Sequence, residues 1–348
     1  MKILRGFFSL IKWVAIVLVL VEAFSFTVIL VSNYILYGVA REGSRAFYDP
    51  YTLFLQDPKI RPTVGSRLST DESKNFVIWI FGGSTIRGDT DFDEQTIPSY
   101  LAQVLSSKNT SINYSVVNFG INSFNSLMES KYLQKALIEI RPKPNLVIFY
   151  DGANDVKYFL EHRDPYGHHG FRKVKAIIES YHSSFFGLFK PLNAALYSSF
   201  TKELYDKINQ VFIPVQSETK LIKQLAEMSE ERYDYLDKMV GCFGAKFLLI
   251  YQPMLWTETC SVSEAIKATE RSHIVDSSKL NVMRSNFTVP YQILLEQLKN
   301  KPYFISYRNV LCDRDQAAYK ADGVHLTNYG RNVIAKKMAD TITPFVER

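Results

Sequence analysis

Cysteine is scarce: the 348 residues hold three, Cys242, Cys260 and Cys312. None forms a C-x-x-C pair, which excludes a disulfide framework and a cysteine-based zinc site and leaves room for one bridge at most. A basic excess is missing too. Lys and Arg number 41 against 35 Asp and Glu, and residues 1–45 carry five of those cations and two of the acids, so the net charge of +6 halves beyond them. No basic stripe remains to neutralise phosphates, and no nucleic-acid partner is expected. Metal-ligand spacing is also lacking. His168-His169 has no third ligand in reach of the pattern, and Asp89, Asp91 and Asp93 open like a calcium loop but meet Glu94 where glycine is needed and Tyr100 where glutamate is needed. No metal, cofactor or particular protein partner is indicated. Repeats and low-complexity tracts are absent, and 47% apolar residues with 45 Tyr and Phe side chains exclude disorder for most of the chain. The length suits one large domain or two small ones.

What is present first is a long hydrophobic run. Trp13 to Tyr37 carries one charge, Glu22, in 25 residues, enough to cross a hydrocarbon core of about 30 Å. A cleaved signal peptide ending near Gly38-Val39-Ala40 is the rival reading, but its apolar stretch is usually only about 7–15 residues long. Lys2, Arg5 and Lys12 before the run against Arg41 and Arg45 after it favour a cytoplasmic N-terminus. The expectation is a cytoplasmic segment 1–12, a membrane helix 13–37 and an extracytoplasmic remainder, periplasmic or at the cell surface.

Residues 38–74, with Pro50, Pro58, Pro62, Gly43 and Gly65, read as a linker packed on a domain spanning 75–348. Continuous apolar runs at 76–81, 114–119, 145–150, 246–251 and 303–307 read as strands buried on both faces. Helical patterns lie between them at Pro98 to Ser106, Leu127 to Ile140 and Asn328 to Phe345, the last after a Thr327 N-cap. The expected fold class is α/β, a doubly wound parallel sheet of about five strands. The gap between the third and fourth strands is expected to hold a helical insertion over 156–240, including the amphipathic Leu221 to Met239.

In such a sheet ligands sit outside the carboxyl ends of the strands. The residues there are Gly82-Gly83-Ser84-Thr85, Asn118-Phe119-Gly120-Ile121-Asn122, Asp151-Gly152-Ala153-Asn154-Asp155 and Asp322-Gly323-Val324-His325-Leu326. Singly each has a structural explanation as a turn or cap; the ordered set does not. It resembles the SGNH (GDSL-type) hydrolases, whose four blocks supply Ser, Gly, Asn and His, with Gly83-Ser84 as the G-G-S-T variant of membrane-anchored bacterial members. The resemblance spans residues 76 to about 340 and implies a serine esterase with Ser84, His325 and Asp322 as catalytic residues. It implies an oxyanion hole from the backbone N–H of Ser84 and Gly120 and the side chain of Asn154, with no cofactor. Asp155 reads as a turn-stabilising neighbour.

The residue types suit that chemistry. A serine hydroxyl needs an adjacent base, and a carboxylate three residues before the histidine can orient its ring. The α/β-hydrolase elbow G-x-S-x-G fails because position 86 is Ile86. The expected substrate is an acyl ester, with an O-acetyl group on a cell-surface glycan suggested by resemblance and location. An O-acyltransferase using the same triad and a non-catalytic glycan-binding or assembly protein are the alternatives. Asn109, Asn113 and Asn286 lie in glycosylation sequons.

Overall fold

The computed structural model describes the chain except for residues 1, 38–39, 41–45, 58, 91, 173, 176–177, 179–198, 216–218, 277 and 347–348. Gly38 and Val39 of the rival cleavage site and Asp91 fall outside the described residues, as do Tyr181, Phe185, Phe186 and Phe189 of the 156–240 segment, whose aromatic density in sequence suits either a core or the lining of a substrate cleft. Two units emerge, one from Met1–Glu42 with Gly170–Ile213, the other from Gly43–His169 with Pro214–Arg348.

In the first unit α1 runs Lys2–Tyr37, 36 residues, and its stretch Arg5–Ile35 is long and apolar enough to cross a membrane. The helix begins well before Trp13 because Ile3, Leu4, Phe7, Phe8, Leu10 and Ile11 continue the apolar pattern and no proline interrupts it.

The second unit is built on β3 (Asn75–Gly82), β4 (Asn113–Asn118), β5 (Leu146–Asp151), β6 (Lys246–Tyr251) and β7 (Phe304–Ser306), preceded by a short hairpin of β1 (Phe47–Asp49) and β2 (Leu53–Leu55). The five form one sheet in the order β4-β3-β5-β6-β7 with every neighbouring pair parallel. Trp79 sits level with Val117 on one side and Val147 on the other. Alternate side chains feed two cores. Ile78, Ile80, Ile148 and Ile250 join Leu101 and Leu105 of α3 (Ile97–Lys108) and Ile334 and Met338 of the last helix (Asn328–Val346). On the other face Phe81 meets Tyr132 of α4 (Ser126–Glu139) with ring centroids 5.9 Å apart, and Phe149 meets Phe247 at 5.4 Å. With both faces covered, strands need no polar alternation, which is why the sequence shows continuous runs.

The segment 156–240 is not uniform. Helix Ala153–His162 buries Val156, Tyr158, Phe159 and Leu160, and helix Thr219–Gly241 buries Ile222, Leu225, Tyr233, Leu236 and Val240. Both belong with the sheet, and Gly170–Ile213 groups with α1 instead. Of the sequons, Asn286 is fully buried and its Oδ1 accepts from Val215 N at 2.7 Å, so the folded chain does not offer it.

Candidate active site

Strand β3 delivers the serine. It ends at Gly82, and Gly83 opens the short helix α2 (Ser84–Arg87). A Cβ on Gly82 would lie 2.6 Å from the Ile86 side chain, and one on Gly83 would lie 2.4 Å from Asn154 Nδ2, so the glycine pair lets the strand end close against both neighbours. Ser84 is half-buried, and Thr85 points inward to donate to Gln252 Oε1 at 3.0 Å at the end of β6.

The histidine arrives on a loop. His325 Nε2 lies 2.7 Å from Ser84 Oγ, and His325 Nδ1 lies 2.5 Å from Asp322 Oδ2. The second oxygen of Asp322 accepts the backbone N–H of Val324 and His325, each at 2.9 Å. Gly323, at φ +67, makes the turn and packs so closely on Trp256 that a Cβ would lie 2.6 Å from its ring. Burial opposes a charge on Asp322, but the His325 hydrogen bond and charge and the two amides outweigh it and bring its pKa down to about 2. An ionised carboxylate on Nδ1–H makes Nε2 the ring nitrogen that accepts from Ser84 Oγ.

The loop has no long strand to hold it. Buried charge does that work: Arg314 donates to Glu258 at 2.9 and 3.0 Å and to Glu270 at 2.7 and 3.0 Å, with the three side chains at most 6% exposed. Glu270 Oε1 then accepts the N–H of Ala318 and Tyr319 at 2.5 and 3.2 Å. Thr327 N donates to Ala318 O, and Lys320 N to His325 O, both at 2.8 Å, closing the loop that presents Asp322 and His325. A disulfide joins Cys260 to Cys312 beside this network, 52 residues apart in sequence.

Strand β5 places Asn154. Gly152, at φ +116, begins the turn, and Asn154 Nδ2 donates one hydrogen to Phe124 O at 2.6 Å beside Gly83. Gly120 stands two residues beyond the end of β4. Its N–H donates to Asn118 Oδ1 at 2.9 Å, and a Cβ there would lie 2.2 Å from Arg87 N, so glycine is required by the approach of α2 and the amide is already engaged. Asp155 is buried and accepts from Ser126 Oγ at 2.5 Å and Ser126 N at 3.2 Å, which fixes the start of α4.

Beneath this turn lies an acidic cluster. Glu129 and Asp151 are buried near Asp155, with Tyr233 donating to Asp151 at 2.9 Å and Arg232 donating to Ser126 Oγ at 2.6 Å. Burial first, and neighbouring carboxylates second, push Glu129 and Asp151 well above the usual carboxylate range, Asp151 to about 8, so the pair retains a proton at neutral pH.

Three positioning residues escape sequence reasoning. Asn118 bridges Gly120 and Ile86 O, the latter at 3.0 Å. Gln252 holds Thr85. Arg61, from the segment before the sheet, donates to Asp93 at 2.7 Å and to the carbonyls of Arg87, Gly88 and Thr90 at 3.1, 2.6 and 2.8 Å, gripping the loop behind α2. Asn118 carries a sequence signal, as it ends β4 two residues before Gly120; the other two are isolated polar residues far from their partners in sequence. His169 Nδ1 is 3.4 Å from Tyr158 OH, and His168 Nδ1 is 2.6 Å from His169 O.

No family model and no curated protein matches the chain. Among solved structures it is similar to an acetyl xylan esterase, AlAXEase, at 16% identity and a TM-score of 0.39, over 77% of this chain and 100% of that one. It is similar to TesA at 15% identity and a TM-score of 0.36, over 77% of this chain and 99% of that one. A lipase/acylhydrolase from Enterococcus faecalis is similar at 13% identity and a TM-score of 0.36, over 77% and 95%.

Proposed function

We propose that the protein is a membrane-anchored, extracytoplasmic serine esterase of the SGNH type. The observation that carries the reading is the relay Ser84 Oγ, His325 Nε2 at 2.7 Å, and His325 Nδ1 to Asp322 at 2.5 Å, at the carboxyl edge of a parallel sheet. In this mechanism Ser84 Oγ attacks the ester carbonyl while His325 takes its proton. The imidazolium, stabilised by Asp322, returns the proton to the departing alcohol oxygen, and water then cleaves the acyl-enzyme by the same steps in reverse. Ser84 N–H, at the open end of α2, and the second N–H of Asn154 are the donors to the oxyanion, each worth about 2.7–4 kcal/mol if they act as in other acyl-transfer enzymes.

The Cys260–Cys312 bond supports an oxidising compartment for the domain, in line with the charge balance about α1. For substrate, the four motif blocks support an acyl ester, and the location supports an O-acetyl group on a surface glycan. The full-length protein in detergent should be incubated with an activated acetyl ester, with and without a glycan acceptor, and the products weighed. Free acetate in both arms is the expected result. Acetylated acceptor would make it an O-acyltransferase, and no turnover by folded protein would overturn the enzyme reading.

A further inference from the structure

Glu22 is the one charge between Trp13 and Tyr37, and a carboxylate at that depth of a bilayer needs a partner. Its partner lies in helix α6, our label for Phe200–Phe212, counted after α5 (Ala153–His162). Glu22 accepts from Phe200 N, from Thr201 N at 3.1 Å and from Thr201 Oγ1 at 2.7 Å. These are amides at the helix N-terminus, which have no intrahelical acceptor and favour a negative charge. Farther along the same face of α1, Ser25 Oγ meets Thr201 Oγ1 at 3.2 Å, Phe26 packs on Phe200 with ring centroids 4.7 Å apart, and Asn33 Oδ1 accepts from Lys207. Residues 22, 25, 26, 29 and 33 are one helical face, and on it Ser25 and Ile29 are buried. Contacts rise together along both helices, so α6 runs parallel to α1 from the level of Glu22 to that of Asn33 and beyond.

The exposed row of α6 that continues from Thr201 is apolar. Tyr205, Ile208 and Phe212, at i, i+3 and i+7, are 57%, 46% and 64% exposed. The charges lie off this row: Asp206 is paired with Lys202 and with Arg172, each at 2.8 Å, Lys207 is turned to Asn33, and Glu203 stands in the first turn. A helix facing water would show the opposite arrangement.

We infer that α6 is a second membrane-seated element, whose Tyr205, Ile208 and Phe212 row faces acyl chains, with Glu22 fixing its N-terminus near mid-bilayer. This rests on the reading of α1 as a membrane span. The lipid is identified as occupant by continuity: whatever surrounds the outer half of α1 also surrounds a helix bound along it. Glu22 begins roughly 15 Å beyond Lys12 at 1.5 Å per residue, and Asn33 lies beside Tyr34, in the aromatic zone expected at the outer interface. The first half of α6 therefore lies at hydrocarbon depth and Phe212 near the headgroups.

The test uses full-length protein with Cys242→Ser in phosphatidylcholine proteoliposomes, with a bimane label at Tyr205→Cys or Ile208→Cys and, as control, at the lipid-facing Phe24→Cys. Lipids brominated on the acyl chains should quench the α6 labels at least half as strongly as the control, and adding Glu22→Leu should abolish that quenching at α6 only. Quenching at Phe24→Cys without quenching at α6 would overturn this inference and leave the span intact. Absence of quenching at all three would overturn the span reading and the inference with it.

Discussion

Ser84 and His325 reach the same point in different ways. The serine stands at the end of a strand paired on both sides, where Gly82 and Gly83 allow close backbone approach and Asn118, Thr85 and Gln252 lock the turn. The histidine stands on a loop that depends on Arg314, Glu258, Glu270 and a disulfide. A sheet edge positions a side chain through backbone hydrogen bonds that local changes barely disturb. A loop held by buried charge is as well placed but depends on a few groups whose loss leaves charge uncompensated. The serine half should therefore fail chemically when altered, and the histidine half should fail structurally.

The largest expected effect is chemical. Ser84→Ala should lower kcat by on the order of 10⁶-fold with the melting temperature almost unchanged, because the side chain is half-buried and adds little packing. Asn154→Ala should lower kcat by about 10²–10³-fold with little change in KM if its free N–H meets the oxyanion. An unchanged kcat with a lowered melting temperature would reduce Asn154 to its bond with Phe124.

On the histidine side, Arg314→Met leaves Glu258 and Glu270 buried without their cation and should destabilise the folded chain by about 3–5 kcal/mol, read by denaturant unfolding. Cys312→Ser should cost about 2–4 kcal/mol. If either variant kept full stability and full activity, the loop would need another support.

The smallest effect concerns pH. Glu129 and Asp151 hold a proton in the folded state that unfolded carboxyls release above about pH 4. The unfolded state then binds fewer protons, so stability falls as pH rises from about 4 and levels off once the folded pair titrates, with Asp151 at about 8. Glu129→Gln should flatten this decline, raising the melting temperature at pH 8 relative to pH 5. Parallel pH curves for both proteins would refute the shared proton.

The same division decides what could be read from sequence. Five apolar runs located the five strands to within a residue or two because burial on both faces leaves an unbroken signal, and the order of Ser84, Asn154, Asp322 and His325 after those runs pointed to one edge. Helix Thr219–Gly241 reads as part of the insertion because its Glu-, Lys- and Tyr-rich pattern is that of any amphipathic helix; its buried Ile222, Leu225, Tyr233, Leu236 and Val240, with the Tyr233 bond to Asp151 of β5, tie it to the sheet. The β1–β2 hairpin is too short, three residues a strand, to show alternation. A glycine such as Gly120 records that something is close without recording what, and the atom a Cβ would meet there is Arg87 N. Glu22 could be flagged as out of place in an apolar run, but its partners at Phe200 and Thr201 lie some 178 residues away.

The relay from Ser84 through His325 is tested most directly by labelling. Full-length protein treated with a fluorophosphonate and digested for mass spectrometry should carry a single adduct on Ser84. That adduct should be absent in Ser84→Ala, and its rate of formation should fall at least 10²-fold in His325→Ala. Labelling at another residue, or an unchanged rate in folded His325→Ala, would contradict the account.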